Sequence, residues 1–134
     1  MAERVVVDTD VVSFFLKGDT RARRYEKHLQ GKQLVLSFMT IAELHRWSLE
    51  RSWGEERKAR LEEYLRKFIV SPADTELCKI WGQIQALAKA KGRPIGVADA
   101  WIAATAVRYN IPLVTHNLKH YSNVDELSVL SEQD

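Results

Sequence analysis

The sequence predicts an α/β fold, a central parallel sheet of four to five short strands between two layers of helices. Three observations predict it. Short apolar runs recur at Val5 to Val7, Leu34 to Leu36, Ile69 to Val70 and Leu113 to Thr115, each too short for a helix. Unbroken apolarity over such a length is how a strand buried on both faces reads. Longer segments with helical periodicity separate the runs, and no Asn-Gly or similar hairpin signal joins them. Strands and helices in alternation, without hairpins, form parallel sheets covered on both sides. No stretch reads as linker, repeat or low-complexity sequence, so residues 1–134 are expected to form one domain.

The elements follow in order. Arg4 to Val7 is the first strand, and Thr9 and Asp10 are helix-capping types before the apolar segment Val11 to Leu16. Lys17-Gly18-Asp19-Thr20 turns the chain into a short basic helix from Arg21 to Leu29. After the second strand, Ser37 caps a helix from Met39 to Arg51 with Phe38, Ile41 and Leu49 as core candidates. Glu43, Arg46, Trp47 and Glu50 share another face of that helix. Trp53-Gly54 breaks the chain before the helix Glu55 to Phe68, where Glu62 with Arg66 and Glu63 with Lys67 make i,i+4 pairs. Ala73 to Ala90 is amphipathic, with Leu77, Ile80, Trp81, Ile84, Leu87 and Ala88 inward. A loop from Lys91 to Gly96 leads into the small-residue helix Val97 to Tyr109. Leu127 to Leu130 is a weak last strand.

Composition bounds the function. The balance of 46% hydrophobic and 28% charged residues is that of a water-soluble globular protein, and a net charge of +2 is not that of a polycation. Basic residues cluster at Arg21, Arg23, Arg24 and Lys27 and again at Lys89, Lys91 and Arg93, where they meet either a phosphate backbone or solvent. The single cysteine, Cys78, excludes an internal disulfide and fits a reducing compartment. No apolar run approaches the roughly 20 residues of a membrane span, and the start lacks a signal peptide's plan. The expectation is a cytoplasmic protein without a membrane partner.

Open α/β sheets bind ligands beyond the carboxyl ends of their strands. Asp8 ends the first strand, Glu43 follows the second by one to two helical turns, Asp99 opens the small-residue helix, and Asn117 follows the fourth strand. Each has a simpler role: Asp8, Asp10 and Asp99 as helix caps or dipole partners, and Glu43 as a surface partner of Arg46. Brought together, carboxylates repel one another unless they take up protons or bind a cation. An all-oxygen set suits magnesium or manganese. Zinc is disfavoured, because His116 and His120 have no third ligand near them in sequence.

The chain resembles the PIN domain family, and within it the VapC-type toxins of bacterial toxin–antitoxin pairs. The resemblance lies in Val5-Val6-Val7-Asp8-Thr9-Asp10-Val11-Val12, Thr40-Ile41-Ala42-Glu43-Leu44, Ile95 to Ala106, and Leu113-Val114-Thr115-His116-Asn117. It implies a three-layer α/β/α domain and an endoribonuclease dependent on Mg2+ or Mn2+, with Asp8, Glu43 and Asp99 holding metal and Asn117 at the family's fourth acidic position. His120 stands where many members carry an acid, which favours one metal over two. Thr9, Asp10 and Thr115 would support the site, and Arg21, Arg23, Arg24, Arg46, Lys91 and Arg93 would frame the RNA. The resemblance further implies a cognate VapB-like antitoxin as partner, and a homodimer, for which Trp47 and Trp53 are interface candidates or else core residues.

Two other readings stay open. Asp8-Thr9-Asp10-Val11-Val12 also fits the first motif of a haloacid-dehalogenase-type phosphatase, with Asp8 as nucleophile and Asp10 as acid/base. That enzyme needs a later pair of aspartates, and Asp99 has no acidic neighbour in the next ten residues. The substitution at Asn117 also admits a degenerate PIN domain that acts only by binding.

Overall fold

The structure, a computed structural model, describes residues 3–133. Its elements run β1 (Arg4–Val7), α1 (Thr9–Lys17), α2 (Ala22–Leu29), β2 (Gln33–Ser37), α3 (Phe38–Glu50), α4 (Glu55–Leu65), β3 (Ile69–Ser71), α5 (Thr75–Ala90), α6 (Val97–Tyr109), β4 (Leu113–Val114), α7 (Leu118–Tyr121) and β5 (Val129–Leu130). The five strands form one sheet in the order β3-β2-β1-β4-β5. Every neighbouring pair is parallel, with Val6 opposite both Val35 and Leu113.

Alternation along the central strands splits the core into two halves. Val6, Val35 and Leu113 face α5 and α6, whereas Val5, Val7, Leu36 and Val114 face α1, α2, α3 and α4. A strand with helices on both faces must be apolar at every position, which is why β1 reads as three consecutive valines. Four of the five alanines of α6 (Ala100, Ala103, Ala104, Ala106) are buried and let that helix lie close to the sheet.

The direction of winding locates the crevice. β2 and β3 extend the sheet to one side of β1, and the chain then crosses to lay β4 and β5 on the other side. The order therefore switches at β1 and β4, where parallel sheets open a ligand crevice beyond the strand ends. Gly18, in the left-handed conformation at φ 68°, ends α1, where an L side chain would be strained.

Several sequence expectations need correction. Leu49 is 71% exposed because the buried stripe of α3 runs Thr40, Leu44, Ser48, leaving the next residue outside. Leu87 is 58% exposed for the same reason beside Ile84 and Ala88. The helix expected to reach Phe68 stops at Leu65, and Ile69 and Val70 lie half in solvent on the edge strand. Neither expected i,i+4 pair is seen: Arg66 bonds Glu63 at 3.0 Å, Glu62 lies 3.7 Å from His45, and Lys67 sits over the Tyr64 ring. Trp53 is buried beneath the Arg57 guanidinium and Trp47 is half-buried beside Arg51, so neither is a free aromatic surface. Among the described residues no helix is long and apolar enough to cross a membrane.

Candidate active site

Asp8 leaves β1 as the N-cap of α1, its Oδ1 accepting the Thr9 N–H at 2.7 Å. Its Oδ2 accepts two hydroxyls, Thr115 Oγ1 at 2.7 Å and Tyr121 at 2.8 Å. Capping and site chemistry are thus not alternatives for this residue. One oxygen caps the helix while the other is aimed by groups from the far end of the chain.

Thr9 carries the network toward α3. Its hydroxyl lies 2.8 Å from Glu43 Oε1 and 2.9 Å from Thr40 Oγ1. A hydroxyl holds one proton and an ionised carboxylate only accepts. Thr9 therefore donates to Glu43 and takes the proton of buried Thr40. Asp99, in the first turn of α6, has Oδ2 3.0 Å from His120 Nδ1 and Oδ1 3.4 Å from the Tyr121 hydroxyl. Asp10 accepts the Val11 N–H at 2.7 Å on Oδ1, and on Oδ2 the His116 N–H and Asn117 Nδ2, both at 3.0 Å. The Asn117 N–H in turn donates to Thr115 Oγ1 at 3.0 Å. Asn117 thus enters the site as an amide that satisfies Asp10, where a further carboxylate would repel it.

The electrostatics of the four acids agree. Burial, opposed by its three hydrogen bonds and reinforced by Asp99, holds the Asp8 carboxyl above its ordinary value. Burial and then the Asp8 charge push Asp10 up to about 7. Glu43 is raised by burial, with Thr9 and the more distant Arg46 charge opposing and Asp8 and Asp99 adding to the rise. Asp99 is raised by burial and partly relieved by His120. The Tyr121 hydroxyl is raised as well, through burial and the neighbouring Asp8 and Asp99, so it remains a donor. Among the described residues no lysine or arginine lies within ion-pair distance of the four acids, and their one ion-pair partner is His120.

That imbalance bears on metal binding. Among the described residues no three His, Cys, Asp or Glu side chains form a ready-made cage. The donor set nevertheless fits a hard divalent cation: all oxygen, in excess negative charge and partly buried, with His120 its one ion-pair partner among the described residues. The two histidines are engaged in different places: His116 Nδ1 bonds the Tyr25 hydroxyl and its ring packs edge-on to Phe14, whereas His120 Nδ1 bonds Asp99.

The structure gathers Asp8, Thr9, Asp10, Glu43, Asp99, Thr115 and Asn117 at one end of the sheet. The six basic candidates are less uniform. Arg21 pairs with Asp19 and covers the Phe14 ring, Arg46 pairs with Glu50, and Lys91 pairs with Asp125 at 2.7 Å. Arg23 and Arg24 are exposed on α2, and Arg93 on the loop before α6. Two participants went unassigned in the sequence: Thr40 and Tyr121. Thr40 stands three residues before Glu43 on the same helix, and Tyr121 is an aromatic whose polar end needs a partner once buried.

Comparison with known proteins agrees with this architecture. The family described as PIN domain matches residues 5–127. Ribonuclease VapC1 of Haemophilus influenzae is 30% identical over 124 residues, covering 91% of this chain and 92% of that protein. The tRNA(fMet)-specific endonuclease VapC of Salmonella typhimurium is 28% identical over 127 residues, covering 94% and 96%. The solved structure of VapBC-1 from nontypeable Haemophilus influenzae aligns with a TM-score of 0.82 at 28% identity, over 96% of this chain and 97% of that one. With its parallel sheet, its acids at the switch point and a family match over nearly its whole length, the chain belongs to the PIN domain family.

Proposed function

We propose that the chain is a VapC-type endoribonuclease that depends on Mg2+ or Mn2+ and is held inactive by a cognate antitoxin. The observation that carries this reading is the cluster of four acids, all raised above their ordinary values, with no lysine or arginine paired to them. Asp8, Glu43 and Asp99 would hold the ion. When bound, it supplies a more acidic water and neutralises charge at the scissile phosphate. The chain's own residues prepare that arrangement. Thr115 and Tyr121 fix the Asp8 oxygen, the Thr40–Thr9 relay fixes Glu43, His120 fixes Asp99, and Asp10 keeps Asn117 in place.

The relatives support the substrate and the partner. Two are named as a ribonuclease and a tRNA endonuclease, and the VapBC-1 structure supports a VapB-like antitoxin here. The phosphatase reading is not kept. The later pair of aspartates it needs is missing, and Glu43, for which it has no role, joins the same network as Asp8 through Thr9.

The purified, antitoxin-free protein should cleave structured RNA when Mg2+ or Mn2+ is present and stop on addition of EDTA. Asp99→Asn and Asp8→Asn should each lose roughly 100-fold or more, beyond the usual cost of a supporting residue. Intact RNA with wild type and both variants alike would favour the binding-only reading, for which Asn117 and His120 are the specific observations.

A further inference from the structure

We propose that the groove beside Trp81 binds an unpaired base of the RNA strand next to the acidic site, making Trp81 a substrate-binding residue. The proposal rests on the ribonuclease reading above and adds to it where the strand lies.

The groove has a volume of about 590 Å³ and runs along α5 opposite the loop that enters α6. Trp81 and Pro94 line it, with Lys89 and Gln85 among the side chains around them. Trp81 is held rigidly. Its ring stacks on Trp101 at 5.0 Å with planes 20° apart, Trp101 meets Phe38 edge to face, and the Trp81 Nε1 donates to the Val97 carbonyl at 3.3 Å. One ring face is covered by Trp101, which leaves the other for the groove. Gly82 also lines the groove, and a Cβ placed there would meet nothing within 4 Å, so a larger side chain has room to project from it.

The groove adjoins the site through one turn of backbone. Val97, which receives the Trp81 bond, is the first residue of α6, and Asp99 belongs to the same turn. A Cβ at Gly96 would lie 3.4 Å from Asp99 Oδ2. A strand whose phosphate lay at the acids would therefore carry a neighbouring base along the 92–96 loop toward Trp81.

Charge selects the occupant. Among the described residues Lys89 and Arg93 have no acidic partner within ion-pair distance, unlike Lys91, and the lining includes no acid. An aromatic platform beside unpaired cations is the usual equipment for single-stranded nucleic acid, because every base has a face to stack and every nucleotide a phosphate.

The test uses the full chain in EDTA and a fluorescein-labelled single-stranded RNA of about ten nucleotides and mixed sequence, followed by anisotropy. Trp81→Leu should weaken binding about 10-fold, the effect of losing one stacked base, and Trp81→Phe should restore most of it. Gly82→Leu separates binding from folding, since leucine suits a helix interior better than glycine and a Cβ there meets nothing within 4 Å. It should bind RNA as poorly as Trp81→Leu while melting no lower than wild type. Lys89→Ala should reduce the salt dependence of binding by about one phosphate contact. The proposal is overturned if folded Trp81→Leu and Gly82→Leu bind as wild type, if wild type does not bind this RNA, or if the variants change only the oligomeric state. Binding through the groove without metal-dependent cleavage would instead sink the nuclease reading and leave the groove standing.

Discussion

At the scale of single residues, the site is a problem of uncompensated charge. Tyr121 is its most informative member, a hydroxyl raised so that it stays protonated, aimed at Asp8 Oδ2 from a fully committed aromatic ring. Tyr121→Phe should cut cleavage and Mg2+ affinity roughly 10- to 100-fold, while costing about 1 kcal/mol of stability; cleavage assays, metal titration and thermal melts read the three. Asp10 sets a pH dependence whose sign follows from its carboxyl lying at about 7 against an ordinary 3.8. Between those values the folded chain keeps a proton that the unfolded chain releases, so stability falls as pH rises through that window. The metal-free protein should accordingly melt lower at pH 8 than at pH 5, Asp10→Asn should flatten the difference, and Mg2+ should raise the melting temperature more at pH 8. A metal-free melting temperature that climbs from pH 5 to pH 8 through Asp10 would contradict this. Asp8, Glu43 and Asn117 were readable in the sequence because each follows a strand, and Asp99 because it opens the small-residue helix. Thr40 and Tyr121 were not, since a hydroxyl's role depends on which oxygen lies opposite it in space.

At the scale of elements, each helix presents its acid through its first turns, so capping bears on function. Ser37 caps α3 by accepting the Met39 N–H at 3.0 Å, and the helix then sets Thr40 and Glu43 against Thr9. Ser37→Ala should cost about 1 kcal/mol and loosen Glu43, seen as a lower melting temperature with a weakened metal response. The strands and long helices were legible because burial on two faces, or on one stripe, leaves an unambiguous apolar period. Leu49 and Leu87 were misassigned because period alone does not say where a stripe's edge falls once a smaller residue such as Ser48 or Ala88 takes the buried place. The short α7, Leu-Lys-His-Tyr, has no period to read, yet it delivers both His120 and Tyr121 to the site.

At the scale of the molecule, the sheet divides the core while the short strands couple its halves. Leu113 belongs to the α5–α6 side and Val114 to the other, and Thr115 follows them into the site. Leu113→Ala should therefore cost about 2–5 kcal/mol, against about 0.5 kcal/mol or less for Leu49→Ala on the surface; denaturant titration of both variants makes the comparison. The α/β architecture was legible in full from the alternation of runs and helices. Strand order was not, because parallel crossovers leave the choice of side to tertiary packing, and it is this order that brings Asp8 beside Thr115.

The bonds that close the site have a consequence in time. Asp8 is held by Thr115 and Tyr121, which follow it by 107 and 113 residues. Ribosomes add about 5–20 residues per second, so the first acid waits several seconds for the groups that orient it. Pairings this distant also form late in folding, after the entropy of closing a long loop has been met. A growing chain therefore carries its acids without their alignment, and the aligned centre arises late, when the last two of the five strands dock.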